Sequence, residues 1–236
     1  MTAPVTVAID GPSGSGKSTV SRGLASALGL AYLDTGAMYR AATWWCRRQG
    51  VDLDSADAVT AAVAVMPLEM GIDPAAPAVV CDGVDITAEI RGSDISSIVS
   101  VVATNLDVRA ELRERQRAII AAERRAAGFS EGRGIVAEGR DITTVVAPDA
   151  DVRILLTADE EARLARRARE LHGSDDPDSL AATHAEVVGR DARDSTVSTF
   201  LTAADGVVTI DSSRMDAART LEVALGVVEQ VRQEQR

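Results

Sequence analysis

Apolar residues along this chain follow two spacings, and the points where one gives way to the other mark its elements. Residues 5–9 (Val-Thr-Val-Ala-Ile) form a nearly continuous apolar run, and past a glycine-rich stretch Val20, Leu24, Ala27 and Leu28 recur at helical spacing. The first pattern suits a strand covered on both faces and the second an amphipathic helix. A short run at 30–33 leads into Asp34-Thr35-Gly36, a helix start, and Ala37, Met38, Ala41, Ala42 and Trp45 give the following helix an apolar face up to Arg48, where Gln49-Gly50 ends it. Residues 52–66, opening on Asp52 and Asp54, read as a short alanine-rich helix.

Between residues 67 and 85 the texture changes to short β-like runs, 68–72 and 78–81, separated by Asp73-Pro74 and closed by Asp82-Gly83. An Asp-Gly pair after an apolar run signals a hairpin, and parallel strands would need a crossover helix that has no room here. This segment is therefore predicted to be a small antiparallel insert. From Asp94 the pattern is helical in two pieces, the second over 108–127 with Val108, Leu112, Ile119 and Ile120. A glycine-punctuated loop (129–134), buried strands at 135–137 and 152–156, and a helix bearing Arg163, Arg166 and Arg167 on one face follow. A polar loop (172–178), a helix (181–193), a strand (207–210) and a closing helix (215–235) complete the chain. Strands alternating with helices predict an α/β fold with three layers, a mostly parallel central sheet between helices, and ligands at the carboxyl ends of the strands.

Composition narrows the partners. A chain of 236 residues holds one sizeable core with room for inserts. Its net charge of −11 argues against nucleic acid, which needs a basic face. Cys46 and Cys81 stand far apart outside any C-x-x-C pattern, and His172 and His184 have no partner at ligand spacing, so neither disulfides nor zinc are expected. No leader and no membrane-length apolar stretch is visible, and the expectation is a cytoplasmic monomer without membrane partners.

The glycine-rich stretch carries the chemistry. Gly11, Gly16, Lys17 and Ser18 satisfy G-x-x-x-x-G-K-[ST], a phosphate-binding P-loop, and the strand before it and helix after it are the context that the motif requires. Its glycines let backbone N–H groups face an anion, and the helix from Lys17 adds the positive end of its dipole. Gly11, Pro12, Ser13, Gly14, Ser15, Gly16, Lys17, Ser18 and Thr19 are the expected ATP-binding loop. Lys17 is the only lysine among 25 basic residues, a compact ammonium kept where a planar guanidinium would not fit. A P-loop serves several classes. A guanine-reading N-K-x-D segment is impossible without a second lysine, which removes the switch GTPases. Ile135-Val136-Ala137-Glu138 imitates the apolar-then-acidic run of mechanical ATPases, so a P-loop ATPase regulating a protein partner stays open. Asp34-Thr35-Gly36 and Arg40, one βα unit beyond the P-loop, could hold an acceptor's anion facing the γ-phosphate, as a small-acceptor kinase requires.

The P-loop, Leu33-Asp34-Thr35-Gly36-Ala37-Met38-Tyr39-Arg40, Glu89-Ile90-Arg91, Glu138-Gly139-Arg140-Asp141 with Thr144-Val145-Val146 and Pro148-Asp149-Ala150, and Arg190-Asp191 with Asp194-Ser195 stand in the order and spacing of bacterial cytidylate kinases. The chain resembles that family over essentially its whole length. The resemblance implies a P-loop kinase domain with core 1–35, 106–160 and 181–236, a monophosphate-binding region at 36–105 containing the β insert, and a helical lid at 161–180. It implies transfer of the γ-phosphoryl group of Mg²⁺-ATP to CMP or dCMP, with ADP and CDP or dCDP as products. A kinase for another small acceptor, such as shikimate, is the nearer alternative.

Roles follow residue by residue from the same resemblance. Thr35, Ser100, Arg109 and Asp141 would surround the cytosine, whose amino donor and carbonyl and ring-nitrogen acceptors such a set complements. Arg40 and Arg140 would clamp the acceptor phosphate through their planar forks. Asp194, with Arg190 one helical turn away, would hold the ribose. Arg163, Arg166 and Arg167 would close over the ATP phosphates, with Lys17, Arg140, Arg166 and Arg167 stabilising the transferred group. Ser18 and Asp34 would serve Mg²⁺. By residue type alone these positions also fit plain ion pairs, an intrahelical salt bridge at 190 and 194, and a solvated basic helix face. Two departures from the family pattern stand out: an arginine is missing after Asp194-Ser195-Thr196, where the segment is shortened, and Thr143 replaces a glycine that lies near the acceptor pocket.

Overall fold

The computed structural model describes residues 3–234, apart from the side chains of residues 185 and 186. Five parallel strands form the central sheet: β1 (Val5–Asp10), β2 (Ala31–Asp34), β6 (Gly134–Gly139), β7 (Val152–Thr157) and β8 (Val208–Asp211), in the order β2-β6-β1-β7-β8. The two central strands, β1 and β6, are buried at every position, as strands covered on both faces must be. Successive side chains of β1 divide between two cores. Ala8 joins Leu33, Ala137 and the apolar face of α2 (Thr35–Arg48), whereas Val7 and Ile9 join Val20 and Leu24 of α1 (Lys17–Leu28) and Ala224 and Val228 of α9 (Ala217–Glu234). The last expected helical position, Gln235, lies outside the described residues.

The insert is a separate three-stranded antiparallel sheet of β3 (Leu68–Met70), β4 (Val79–Cys81) and β5 (Val84–Asp85). Its hairpin turns at Asp82 and Gly83, both at positive φ (53° and 72°), the conformation that makes Asp-Gly a hairpin signal. Val79 and Cys81 bury its inner face in the core that holds Trp44, Trp45 and Met66.

Several boundaries differ from the sequence expectation for local reasons. The helix expected over 52–66 is α3 (Ala56–Ala64), started by Ser55, whose hydroxyl accepts from the Ala58 N–H. The region after Asp94 breaks into three helices, α4 (Ser93–Ser96), α5 (Val99–Ala103) and α6 (Leu106–Ala122), because Asn105 caps α6 by accepting from the Asp107 and Val108 N–H groups. Helix α6 stops at Ala122 instead of 127: the buried Glu123 carboxylate accepts from the Phe129 and Ser130 N–H groups and turns the chain back. The expected lid corresponds to α7 (Glu160–His172) and the start of α8 (Pro177–Asp194). The second begins before the expected 181, because Asp176 caps it and Pro177 presets its first turn. Helices α7 and α8 pack against each other.

Candidate active site

Parallel register decides what meets at the carboxyl end of the sheet. Asp10 pairs with Gly139 and Asp34 with Glu138, so the P-loop after β1, the start of α2 after β2 and the 139–141 turn after β6 open side by side. They bound a cleft of about 940 Å³. Ser13 to Thr19 line it from the P-loop, and Arg40, Arg140, Arg166, Arg167 and Arg190 line it from four other segments. A chain with net charge −11 thus lines one cleft with eight arginines, Arg22, Arg91 and Arg169 among them, and its single lysine.

At the P-loop the Lys17 ammonium donates to the Pro12 carbonyl (2.8 Å). Burial brings its pKa down to about 8, with Glu138 pulling the other way and Arg140 reinforcing the fall. Helix α7 reaches the loop from outside. The Arg163 carbonyl lies 2.5 Å from where a Cβ on Gly14 would stand, an approach only glycine allows, and the Arg163 guanidinium donates to the Ser13 carbonyl (3.1 Å) and pairs with Asp191. Arg163 therefore sits behind the P-loop and outside the cleft lining. Arg166 does line the cleft and donates to the Ser212 hydroxyl (2.9 Å) and to the Ser212 (2.6 Å) and Met215 (3.2 Å) carbonyls between β8 and α9. Arg167 lines the cleft as well and pairs with Glu170 at 3.0 Å.

Two buried carboxylates stand at the ends of β2 and β6. Asp34 caps α2 by accepting from the Ala37 N–H (2.8 Å) and pairs with Arg40 (2.9 Å) and Arg91 (3.6 Å). Burial pushes its pKa up, but the two arginines and the N–H outweigh it and hold the carboxyl below its usual range. Glu138 accepts from the Tyr32 hydroxyl, and burial and then the neighbouring Asp34 raise its pKa. The Ser18 hydroxyl, Asp34 and Glu138 are hard oxygen donors, the set that suits Mg²⁺. Both carboxylates are engaged within the protein, Asp34 by Arg40, Arg91 and the Ala37 N–H, and Glu138 by the Tyr32 and Ser18 hydroxyls. Among the described residues no group of three or more His, Cys, Asp or Glu converges as a metal cage.

The other residues expected to bind the acceptor fall into separate contact groups. The Arg140 guanidinium pairs with Asp191 (2.8 Å) and Asp194 (3.1 Å) and lies 4.4 Å from the ring centre of the fully buried Phe200. Asp194 also accepts from the Ser100 hydroxyl (3.1 Å) and faces Arg190 at 3.6 Å. Burial, with Arg140 and Arg40 adding to it, brings the Arg190 pKa down to about 10. Arg109 and Asp141 form a buried ion pair, with Arg109 also donating to the Ala103 carbonyl (3.1 Å) and lying 5.7 Å from the Tyr39 ring centre. Thr35, at the start of α2, donates to the Glu138 carbonyl (2.7 Å). Ser100 thus meets Asp194, Arg109 meets Asp141 and Thr35 meets Glu138; none of Thr35, Ser100, Arg109, Asp141 and Asp194 lines the cleft itself.

The two departures resolve differently. Thr143 does not crowd the cleft. It is buried, and its hydroxyl (2.6 Å) and N–H (2.8 Å) donate to Asp10, which also accepts from the Ile142 N–H (2.9 Å), fastening the end of β1 to the 140–146 turn. The shortened segment after Ser195 supplies no arginine; it supplies Phe200, packed on Arg140. Sequence reasoning gave no site role to Glu138, Tyr32, Asp191, Arg91 or Ser212. A signal existed for Glu138, acidic at the end of a strand beside the P-loop strand, and for Asp191, three residues before Asp194 and so on the same helix face. None existed for Ser212, which the fold brings to the P-loop from 197 residues away.

The comparisons agree with this arrangement. A sequence-family model for cytidylate kinase matches residues 7–233. A cytidylate kinase of Streptomyces avermitilis is 43% identical over 97% of this chain and 94% of its own, and one of Streptomyces griseus is 46% identical over 95% and 93%. One of Rhodococcus jostii is 48% identical over 91% of this chain and 90% of its own. With a family match across almost every strand and helix around the cleft, and relatives at these identities, the chain belongs to the cytidylate kinase family.

Proposed function

We propose that this protein transfers the γ-phosphoryl group of ATP to CMP or dCMP, giving ADP and CDP or dCDP. The observation that carries the reading is the cleft, with a P-loop and Lys17 at one end and Arg40, Arg140 and Arg190 at the other, on a family scaffold. Two phosphate-bearing ligands would meet end to end across it. The P-loop N–H groups and Lys17 hold the donor's outer phosphates, with Gly11 to Thr19 as the loop. Bound Mg²⁺ supplies charge neutralisation on the phosphate oxygens, with Ser18 and the Asp34–Glu138 pair as its protein-side neighbours. Arg40 and Arg140 take the acceptor phosphate by exchanging their internal carboxylate partners for it. Arg109 and Asp141, with Thr35 and Ser100, read the base, and Asp194 with Arg190 holds the sugar. Arg166 and Arg167, on the 161–180 lid, bring positive charge over the transferred group and exclude water as the lid closes, with Arg163 bracing the donor loop. No side-chain base is required, because transfer of this kind depends on alignment and charge.

We place the enzyme in the cytoplasm as a monomer, in line with two unpaired buried cysteines. No helix among the described residues is long and apolar enough to cross a membrane. An ADP-release assay across AMP, GMP, UMP, CMP and dCMP tests the reading. Turnover highest with CMP or dCMP is expected. Highest turnover with AMP or GMP, or ATP hydrolysis indifferent to CMP, rejects it in favour of another acceptor or of a regulatory ATPase.

A further inference from the structure

We propose that Asp191 is a positioning residue that couples the two nucleotide sites, so that filling one changes the affinity of the other. The proposal rests on the two-site reading given above. Asp191 is 6% exposed and lies outside the cleft lining. Its carboxylate nevertheless gathers three donors from three elements. Oδ1 accepts from the Ser13 N–H of the P-loop (3.3 Å) and pairs with Arg140 after β6 (2.8 Å), and Oδ2 pairs with Arg163 of α7. Arg163 in turn donates to the Ser13 carbonyl (3.1 Å), so the N–H and the C=O of Ser13 are both tied to one ion pair. The donor loop, the lid helix and the acceptor clamp therefore share a single negative charge.

That sharing makes the sites interdependent. Arg140 has two carboxylate partners within the protein, Asp191 and Asp194. A phosphate that draws Arg140 into the cleft takes one cation away from Asp191. In a dry environment its charge must then be balanced by Arg163 and Ser13, which moves weight onto the donor loop and lid helix. The same link runs backwards: a donor phosphate that shifts Ser13 or α7 alters the hold of Asp191 on Arg140. Reciprocity of binding free energies requires the two effects to be equal in size.

The test is calorimetric titration of the whole protein with CMP, in the absence and presence of saturating Mg-ADP, for wild type, Asp191→Asn and Asp191→Glu. In wild type ADP is expected to change the CMP dissociation constant by about fivefold or more, within the usual range of coupling. Asp191→Asn should bring that ratio to within about twofold of unity, and Asp191→Glu should restore part of it. Asp191→Asn leaves Arg163 buried without its counter-ion, so Asp191→Leu combined with Arg163→Met, which removes both charges together, serves if the single variant does not fold. A purely structural role would lower the melting temperature and leave the ratio at its wild-type value; that result overturns the proposal. So does a wild-type ratio of unity. Failure of CMP to bind wild type with or without ADP is a separate outcome, and it would remove the two-site reading itself.

Discussion

The depressed Lys17 pKa makes donor binding depend on pH in a way that can be worked out in advance. In the free protein the group titrates near 8, down from 10.5, chiefly because it is buried. Nucleotide phosphates require the ammonium and return its pKa toward the ordinary value. Above pH 8 binding must therefore take up a proton, and affinity falls as pH rises. The perturbation is a change from about pH 7.5 to about pH 9, a range above the second phosphate ionisation near 6, so the nucleotide itself no longer titrates. The ratio of (1 + 10^(pH − pKa)) at the two values, with the free pKa at 8 and the bound pKa well above 9, gives about an eightfold weaker dissociation constant at the upper pH. Proton uptake on binding should be about 0.5 at pH 8 and about 0.9 at pH 9. Titration calorimetry with ADP in buffers of different ionisation enthalpy measures both quantities. A flat dissociation constant across this range, with no proton taken up, would show that Lys17 is fully charged in the empty site or does not meet the phosphates, and the account of the donor site would be wrong. The linkage has a second face: because the folded pKa lies below the unfolded one, the ligand-free protein should gain stability as pH rises from 8 toward 10.5.

Other perturbations test other parts of the cleft. Arg40→Ala and Arg140→Ala should each lower kcat/KM for CMP by one to three orders of magnitude, about 1.5–4 kcal/mol for a lost charge-assisted contact; unchanged kinetics in both would remove the phosphate clamp. Asp141→Asn leaves Arg109 buried without its counter-ion, so a stability loss of about 3–5 kcal/mol in urea unfolding and a narrowed preference for CMP over UMP are expected together. Gly139→Ala would put a Cβ 2.4 Å from the Thr35 hydroxyl oxygen and 2.8 Å from an Ile142 methyl, so KM for CMP should rise in steady-state assays while ADP binding at the P-loop stays within about twofold.

Much of the fold was legible because it is local. The P-loop sits between a strand and a helix that the apolar pattern marks, Asp82-Gly83 turns the insert as its φ preference dictates, and the first face of α2 is buried as its period requires. Where the pattern failed, a side chain reached across sequence. Residues 123–127 keep helical composition, yet the Glu123 carboxylate is claimed by N–H groups six and seven residues on and the helix ends. Thr143 stands where the family pattern has a glycine, beside residues expected to bind the acceptor, yet its hydroxyl serves Asp10, 133 residues away.

The sequence by itself determined the phosphate-binding loop, the order of strands and helices, the insert and the set of arginines, since each is written in spacing and residue type within a few turns of chain. Only the tertiary structure decided which carboxylate faces which guanidinium. Asp191 joining Ser13, Arg140 and Arg163, Tyr32 on Glu138, and Arg163 behind the loop while Arg166 lines the cleft all depend on strand register and on how α7 and α8 pack. Charge pairing acts over a few ångströms of space, and separation along the chain carries no record of which charges will meet.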